Sequence, residues 1–210
     1  GLYATIGVQA ALFHRQLTGE ATKVDIGMLD CHLALLENAV MRYQVSGTAP
    51  GPLGARHPSI TPFEAYKTKD GYIIISAGND GLFAKLAEAL ENPGWAEDPD
   101  YSSNDNRNKH VEKLKIEMES VLTTHTTSHW IEVLDKFGVP SGPINDIGQA
   151  ATHPQTIARN MIVSVDDPIT GPMKVAGNPI KISGFEDPET REPAPNLDQN
   201  REQILRELTD

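Results

Sequence analysis

Apolar residues recur along this chain at two different periods, and the alternation between them lays out its elements. Leu2, Ile6, Val8, Leu12 and Phe13 are spaced for a helix over residues 1–18, which Gly19 stops. Val24 and Ile26 fall on one face of a short strand predicted at Thr22–Ile26. Leu29, Leu33, Leu36 and Val40 then stripe a single helix from Met28 to Val45, ended by Gly47. Ser46 to Pro62 loses all periodicity and holds four prolines and three glycines, so it reads as a linker or ordered loop. A hairpin follows: Phe63–Thr68 and Tyr72–Ala77 are strand-like and are joined through Lys69-Asp70-Gly71, whose Asp-Gly pair suits a tight turn with positive φ.

Beyond the hairpin the period returns to that of a helix. Leu82–Leu90 is amphipathic, with Asn79 or Asp80 as its cap and Asn92-Pro93-Gly94 as its stop. Asn104 or Asp105 opens a long helix to about Leu122. Thr127 or Ser128 caps another that Gly138 ends. Val139-Pro140-Ser141-Gly142-Pro143 is a stiff connector, and short helical pieces follow at Ile147–Ala151 and Pro154–Asn160. Two strands, Met161–Val165 and Met173–Ala176, flank an Ile169-Thr170-Gly171-Pro172 turn, and Leu197–Leu208 forms a last helix. This order predicts an α+β unit at 62–152, with a β-hairpin and several helices, set between pieces of a different, larger domain.

Charge and cysteine content remove several function classes. The formal net charge of −11 disfavours nucleic acid and anionic membranes, and the densest basic stretch, Lys109 to Lys115, is diluted by Glu112 and followed by Glu117 and Glu119. Cys31 is the single cysteine, which excludes an internal disulfide and any Cys-x-x-Cys site and fits a cytoplasmic or matrix compartment. No run approaches the roughly 18 apolar residues of a membrane span. The sequence opens on Gly1 without methionine and without a capping residue before its first helix. A cut inside a longer protein is therefore expected.

The candidate chemistry is sparse. Gly-x-Gly-x-x-Gly, Walker-type and Gly-x-Ser-x-Gly patterns are absent. His125 and His129 have the i, i+4 spacing of a zinc pair, yet no glutamate lies between them, and Ser128 reads as a cap that breaks the helical geometry. A solvated helix entry is the expectation, with no metal. Cys31 beside His32 points away from it on a helix, so a buried core thiol is expected. Asp25 with Asp30, or Glu64 with Asp70, could be drawn as acid–base pairs. Asp70 is explained by its turn, however, and Glu64 by the polar face of its strand. The loop Gly54-Ala55-Arg56-His57-Pro58-Ser59 combines small residues with groups that meet an anion or a carbonyl, and is open to two readings, site lining or plain linker.

Several stretches, in order, resemble the class III CoA-transferases: Ala10-Ala11-Leu12, Arg15, Thr18-Gly19, Val24-Asp25, Met28 and Asp30; then Arg56-His57-Pro58-Ser59-Ile60, Pro62-Phe63 and Lys69-Asp70-Gly71-Tyr72; then Gly78-Asn79-Asp80, Gly138-Val139-Pro140, Gly142-Pro143-Ile144-Asn145 and Pro179-Ile180-Lys181-Ile182-Ser183-Gly184. The resemblance implies a protomer whose large open α/β domain is built from both ends of the chain (1–47 and 153–210), a linker or active-site loop at 48–61, and a small α+β domain at 62–152. Two protomers would interlock as a homodimer. It implies an enzyme of acyl-CoA metabolism that exchanges coenzyme A between carboxylic acids through an aspartyl-CoA thioester, with the CoA thioester as substrate and no tightly bound cofactor.

The nucleophilic aspartate is expected a few residues before Gly1, so no catalytic residue is assigned here and this piece alone is expected to be inactive. The covering loop corresponds to Gly54, Arg56, His57, Pro58 and Ser59, with fewer glycines than in formyl-CoA transferases. The ending Asn196-Leu197-Asp198-Gln199-Asn200 also departs from the usual Leu-Gly-Glu-His-Thr. Two alternatives stay open: an α-methylacyl-CoA racemase, whose relatives carry an acidic residue where Asp80 stands, and a non-catalytic binding or scaffold module. The expected partners are an acyl-CoA and a small carboxylic acid. The expected location is the cytoplasm, or the mitochondrial matrix in a eukaryote.

Overall fold

The computed structural model describes residues 1–209, and the chain divides into two compact units, Gly1–Pro58 and the residues from Ser59 onward. The first unit is helical. Helix α1 (Leu2–Thr18) ends on Gly19 at φ 77°, where the Gly19 N–H donates to the Arg15 carbonyl. The expected strand at Thr22–Ile26 does not form: the segment has no strand partner, and Val24 instead packs on α1. A Cβ at Gly7 would lie 2.7 Å from Val24 Cγ1, so the glycine is what permits the contact. The expected helix from Met28 to Val45 is two helices, α2 (Met28–Leu35) and α3 (Glu37–Ser46). They are broken at Leu36, whose φ −95° and ψ 18° leave the helical region. None of the three helices holds a buried residue, and Leu2, Phe13, Leu17, Met28, Leu29 and Val45 are all exposed. Cys31 is therefore half-buried and not a core thiol.

The second unit carries the core. Strands β1 (Phe63–Lys67) and β2 (Tyr72–Ser76) pair antiparallel with Tyr66 opposite Ile73. Their four-residue link uses no positive φ at Asp70 or Gly71. The Asp70 carboxylate instead accepts from the backbone N–H and the hydroxyl of Thr127, at 2.8 and 3.0 Å. Helices α6 (Val111–Leu122) and α7 (Thr127–Phe137) pack on the sheet and α4 (Asp80–Ala89) packs on α7, with short α5 (Asn104–Lys109) preceding α6. A single turn of 3-10 helix at Pro93–Ala96 follows α4. The expected long helix from Asn104 is thus divided, at His110, where φ −111° and ψ 24° interrupt it. Ser103 caps α5 and Thr126 caps α7, each one position or more ahead of the expected residues.

Spacing of four residues places Leu114, Met118 and Leu122 on one stripe of α6, and Trp130 and Leu134 on one stripe of α7. They close on Tyr66, Ile73 and Ile75 of the sheet and on Phe83, Leu86 and Leu90. The connector after α7 supplies a strand that periodicity misses, β3 (Ser141–Pro143), pairing with β2. Helices α8 (Ile147–Thr152) and α9 (Pro154–Ala158) lead to a second sheet, in which β4 (Ile162–Asp167) lies between β5 (Gly171–Ala176), antiparallel, and β6 (Thr190–Arg191), parallel. Helix α10 (Arg201–Thr209) starts later than the expected Leu197, because Asn196–Asn200 forms turns.

Candidate functional site

Of the Gly54–Ser59 loop, residues 54–58 belong to the first unit. Gly54 sits at φ 62° in a turn closed by the Arg56 N–H donating to the Leu53 carbonyl at 3.3 Å, while Arg56, His57 and Pro58 are half-buried. Ser59 opens the second unit, and there its backbone is held tightly. The Asn104 and Asn108 side-chain amides both donate to the Ser59 carbonyl at 2.8 Å. The Thr61 N–H donates to Asn104 Oδ1 at 3.1 Å, and the Thr61 hydroxyl to Asn108 Oδ1 at 2.7 Å.

Beneath these contacts lies Arg107, fully buried. Its Nε donates to the Thr61 carbonyl at 2.7 Å, Nη1 to the Tyr101 carbonyl at 2.8 Å, and Nη2 to Asp80 Oδ1 at 2.7 Å. The guanidinium carbon stands 4.4 Å from the centre of the Phe83 ring. A buried cation is tolerable only when its donors are matched, and three of its nitrogens are. Asp80 is thus the partner of a buried arginine, with 61% of its own side chain exposed. It is not the helix cap, because Asn79 Oδ1 accepts from the Leu82 N–H at 2.9 Å and takes that role.

Sequence reasoning missed Arg107 and Asn108 and took Asn104 only as a helix start. They stand in Asn-Asp-Asn-Arg-Asn-Lys, a polar run that reads as a solvated helix face. The one available signal was three asparagines in a helix that they disfavour. Glu64 departs from expectation as well. It points inward beside Tyr66, is 5% exposed, and pairs with Lys115. His125 and His129 do come together, stacked at 4.2 Å against the edge of Trp130. Even so, no cluster of three metal-ligating His, Cys, Asp or Glu side chains exists among the described residues. Burial pushes the Tyr101 phenol up to about 12, helped by the hydrogen bond it donates to Glu117 at 2.9 Å, so it remains a donor. No helix among the described residues is long and apolar enough to cross a membrane.

Residues 1–201 match the family described as CoA-transferase family III, and the chain belongs to that family. It is 37% identical over 208 residues to the acetyl-CoA:oxalate CoA-transferase of Acetobacter aceti, covering 99% of this chain and 52% of that protein. It is 34% identical over 214 residues to the succinate–glutarate CoA-transferase of Agrobacterium fabrum, again covering 99% of this chain and 52% of that protein. The crystal structure of a CAIB/BAIF family protein from Brucella suis superposes with a TM-score of 0.79 at 33% identity, covering 99% of this chain and 53% of that one. The chain spans about half the length of the curated relatives it matches.

Proposed function

We propose that the whole protein transfers coenzyme A between two carboxylic acids, with this chain supplying the loop that covers the reacting groups. The observation that carries the reading is the unbroken family match over residues 1–201, joined to relatives that are CoA-transferases for dicarboxylic and acetyl groups. The nucleophile is an aspartate in polypeptide that precedes residue 1. Its carboxylate attacks the acyl-CoA carbonyl and expels CoA thiolate, leaving a mixed anhydride. The thiolate then attacks the aspartyl carbonyl, releasing the first acid and leaving an aspartyl-CoA thioester. The incoming carboxylate attacks that thioester and frees the thiolate again. The thiolate takes the acyl group from the new anhydride and restores the aspartate.

Each intermediate is an activated acyl group that water would destroy, so the site must be covered while it exists. Gly54, Arg56, His57, Pro58 and Ser59 form the covering loop, and Asp80 acts through Arg107 on Thr61, which follows it in the chain. Residues 1–47 and 153–210 belong to a large domain, 62–152 to a small one, and two protomers interlock. No cofactor is tightly bound, and the site of action is the cytoplasm or, in a eukaryote, the mitochondrial matrix.

The pairing of Asp80 with a buried guanidinium favours an anchoring carboxylate over the proton-transfer base of a racemase. The test is exchange: full-length protein, an acyl-CoA and an isotopically labelled acceptor acid should yield labelled acyl-CoA. Deuterium uptake at the α-carbon without acyl exchange would replace this reading with racemisation.

A further inference from the structure

We infer that Asn104, Arg107 and Asn108 are positioning residues that clamp the trailing end of the covering loop and so set how much acyl-CoA is lost to water. The inference rests on the transferase reading above. Five hydrogen bonds from three side chains of one helical segment converge on Ser59–Thr61. Both asparagines use both ends of their amide. Each donates to the Ser59 carbonyl, and each accepts from Thr61, one from its N–H and the other from its hydroxyl. Arg107 takes the Thr61 carbonyl, so the Ser59 carbonyl and the N–H, hydroxyl and carbonyl of Thr61 are all matched from this one segment.

Such a device is more than ordinary packing. The segment it holds is short, and it directly follows the Gly54–Pro58 stretch that carries the small, permissive residues. A loop with a glycine at positive φ and few apolar anchors loses its order readily unless one end is fixed. The clamp supplies that fixed end, and the Asp80 carboxylate orients the guanidinium at the base of it. A loop pinned at 59–61 needs order only residues 54–58 on closing over an acyl-enzyme. A loop released there must order a longer stretch, and it spends more time open to water.

The test compares the full-length protein with its Asn104→Asp and Asn108→Asp variants. These keep side-chain size and the acceptor toward Thr61, but set a carboxylate oxygen against the Ser59 carbonyl. Thr61→Val, which removes only the hydroxyl donor, gives a milder second perturbation, and Leu134→Ala destabilises the same unit away from the loop. The readout is the ratio of acyl-CoA hydrolysis to acyl transfer. Free CoA is titrated with a thiol reagent without acceptor acid, and acyl exchange is measured with it.

The clamp predicts a ratio about tenfold higher in Asn108→Asp, the size expected for a lost donor turned into an acceptor clash. The KM for acyl-CoA should change by less than about twofold, Thr61→Val should move the same way by less, and Leu134→Ala should leave the ratio unchanged. If the wild type transfers and the asparagine variants keep its ratio, or if Leu134→Ala raises the ratio as much as they do, the clamp is wrong and the transferase reading survives. If the wild type does not transfer at all, both fall together.

Discussion

Replacing Arg107 by methionine is the sharpest stability test of the second unit. Methionine has a stem of similar volume, so the cavity left behind is small and the loss is chiefly polar. The guanidinium now satisfies the carbonyls of Thr61 and Tyr101, both in residues that are essentially inaccessible. Each carbonyl left unmatched costs about 1–3 kcal/mol. Asp80, already 61% exposed, is resolvated by water and adds little. The expected loss is therefore about 3 kcal/mol, somewhat offset by no longer burying a cation.

With a urea slope of about 2 kcal/mol per molar, that loss lowers the midpoint by about 1.5 M. Both tryptophans of the sequence, Trp95 and Trp130, lie in this unit, so fluorescence during urea unfolding reports on it directly. Arg107→Lys should fall between the two proteins, because a lysine ammonium cannot reach three acceptors arranged for a planar fork. Asp80→Asn should be much milder than Arg107→Met, since the amide oxygen still accepts. A methionine variant as stable as the wild type would refute the argument that the buried guanidinium holds this turn of chain.

Three further outcomes follow from the same geometry. The backbone N–H of Thr127, and then its hydroxyl, hold the Asp70 carboxyl below its ordinary range. A folded-state pKa below the unfolded value gives stability that is fully present above the unfolded pKa of about 4 and is lost as pH falls through the folded one. Asp70→Asn should therefore flatten the acid limb of a stability-versus-pH curve below about pH 4, measured by thermal unfolding, and leave its slope near neutrality unchanged. Gly138 ends α7 at φ 69°, so Gly138→Ala should cost about 1 kcal/mol in the same urea assay. Leu134→Ala empties a fully buried site between α7 and the sheet and should cost about 2–5 kcal/mol.

The elements of the second unit were legible wherever local signals mark them, but burial was not, since the equally periodic stripes of α1 and of α2–α3 lie exposed. The β1–β2 hairpin and the helices at α4, α6 and α7 are visible as patterns, and Gly19, Gly47 and Gly138 mark the ends of α1, α3 and α7 by the left-handed backbone that glycine accepts. What escaped was set by partners distant in the chain. Ser141–Pro143 is a strand only because β2 offers it an edge, and its Ser-Gly-Pro composition carries no strand signal. Glu64 alternates inward because Lys115, 51 residues away, meets it there. Arg107 is buried because three acceptors from three segments converge on it, which no local window encodes. The candidate loop was legible as composition; the hydrogen bonds that fix Ser59 and Thr61 were not.

The most direct test of the central claim is covalent. Full-length protein incubated with a panel of acyl-CoAs, quenched in acid and digested, should yield one peptide preceding residue 1 that carries a CoA-mass adduct on an aspartate. The adduct should disappear on adding acceptor acid and should be lost when that aspartate is changed to alanine. A panel that drives acyl exchange yet leaves every aspartate unmodified would contradict the aspartyl-CoA mechanism.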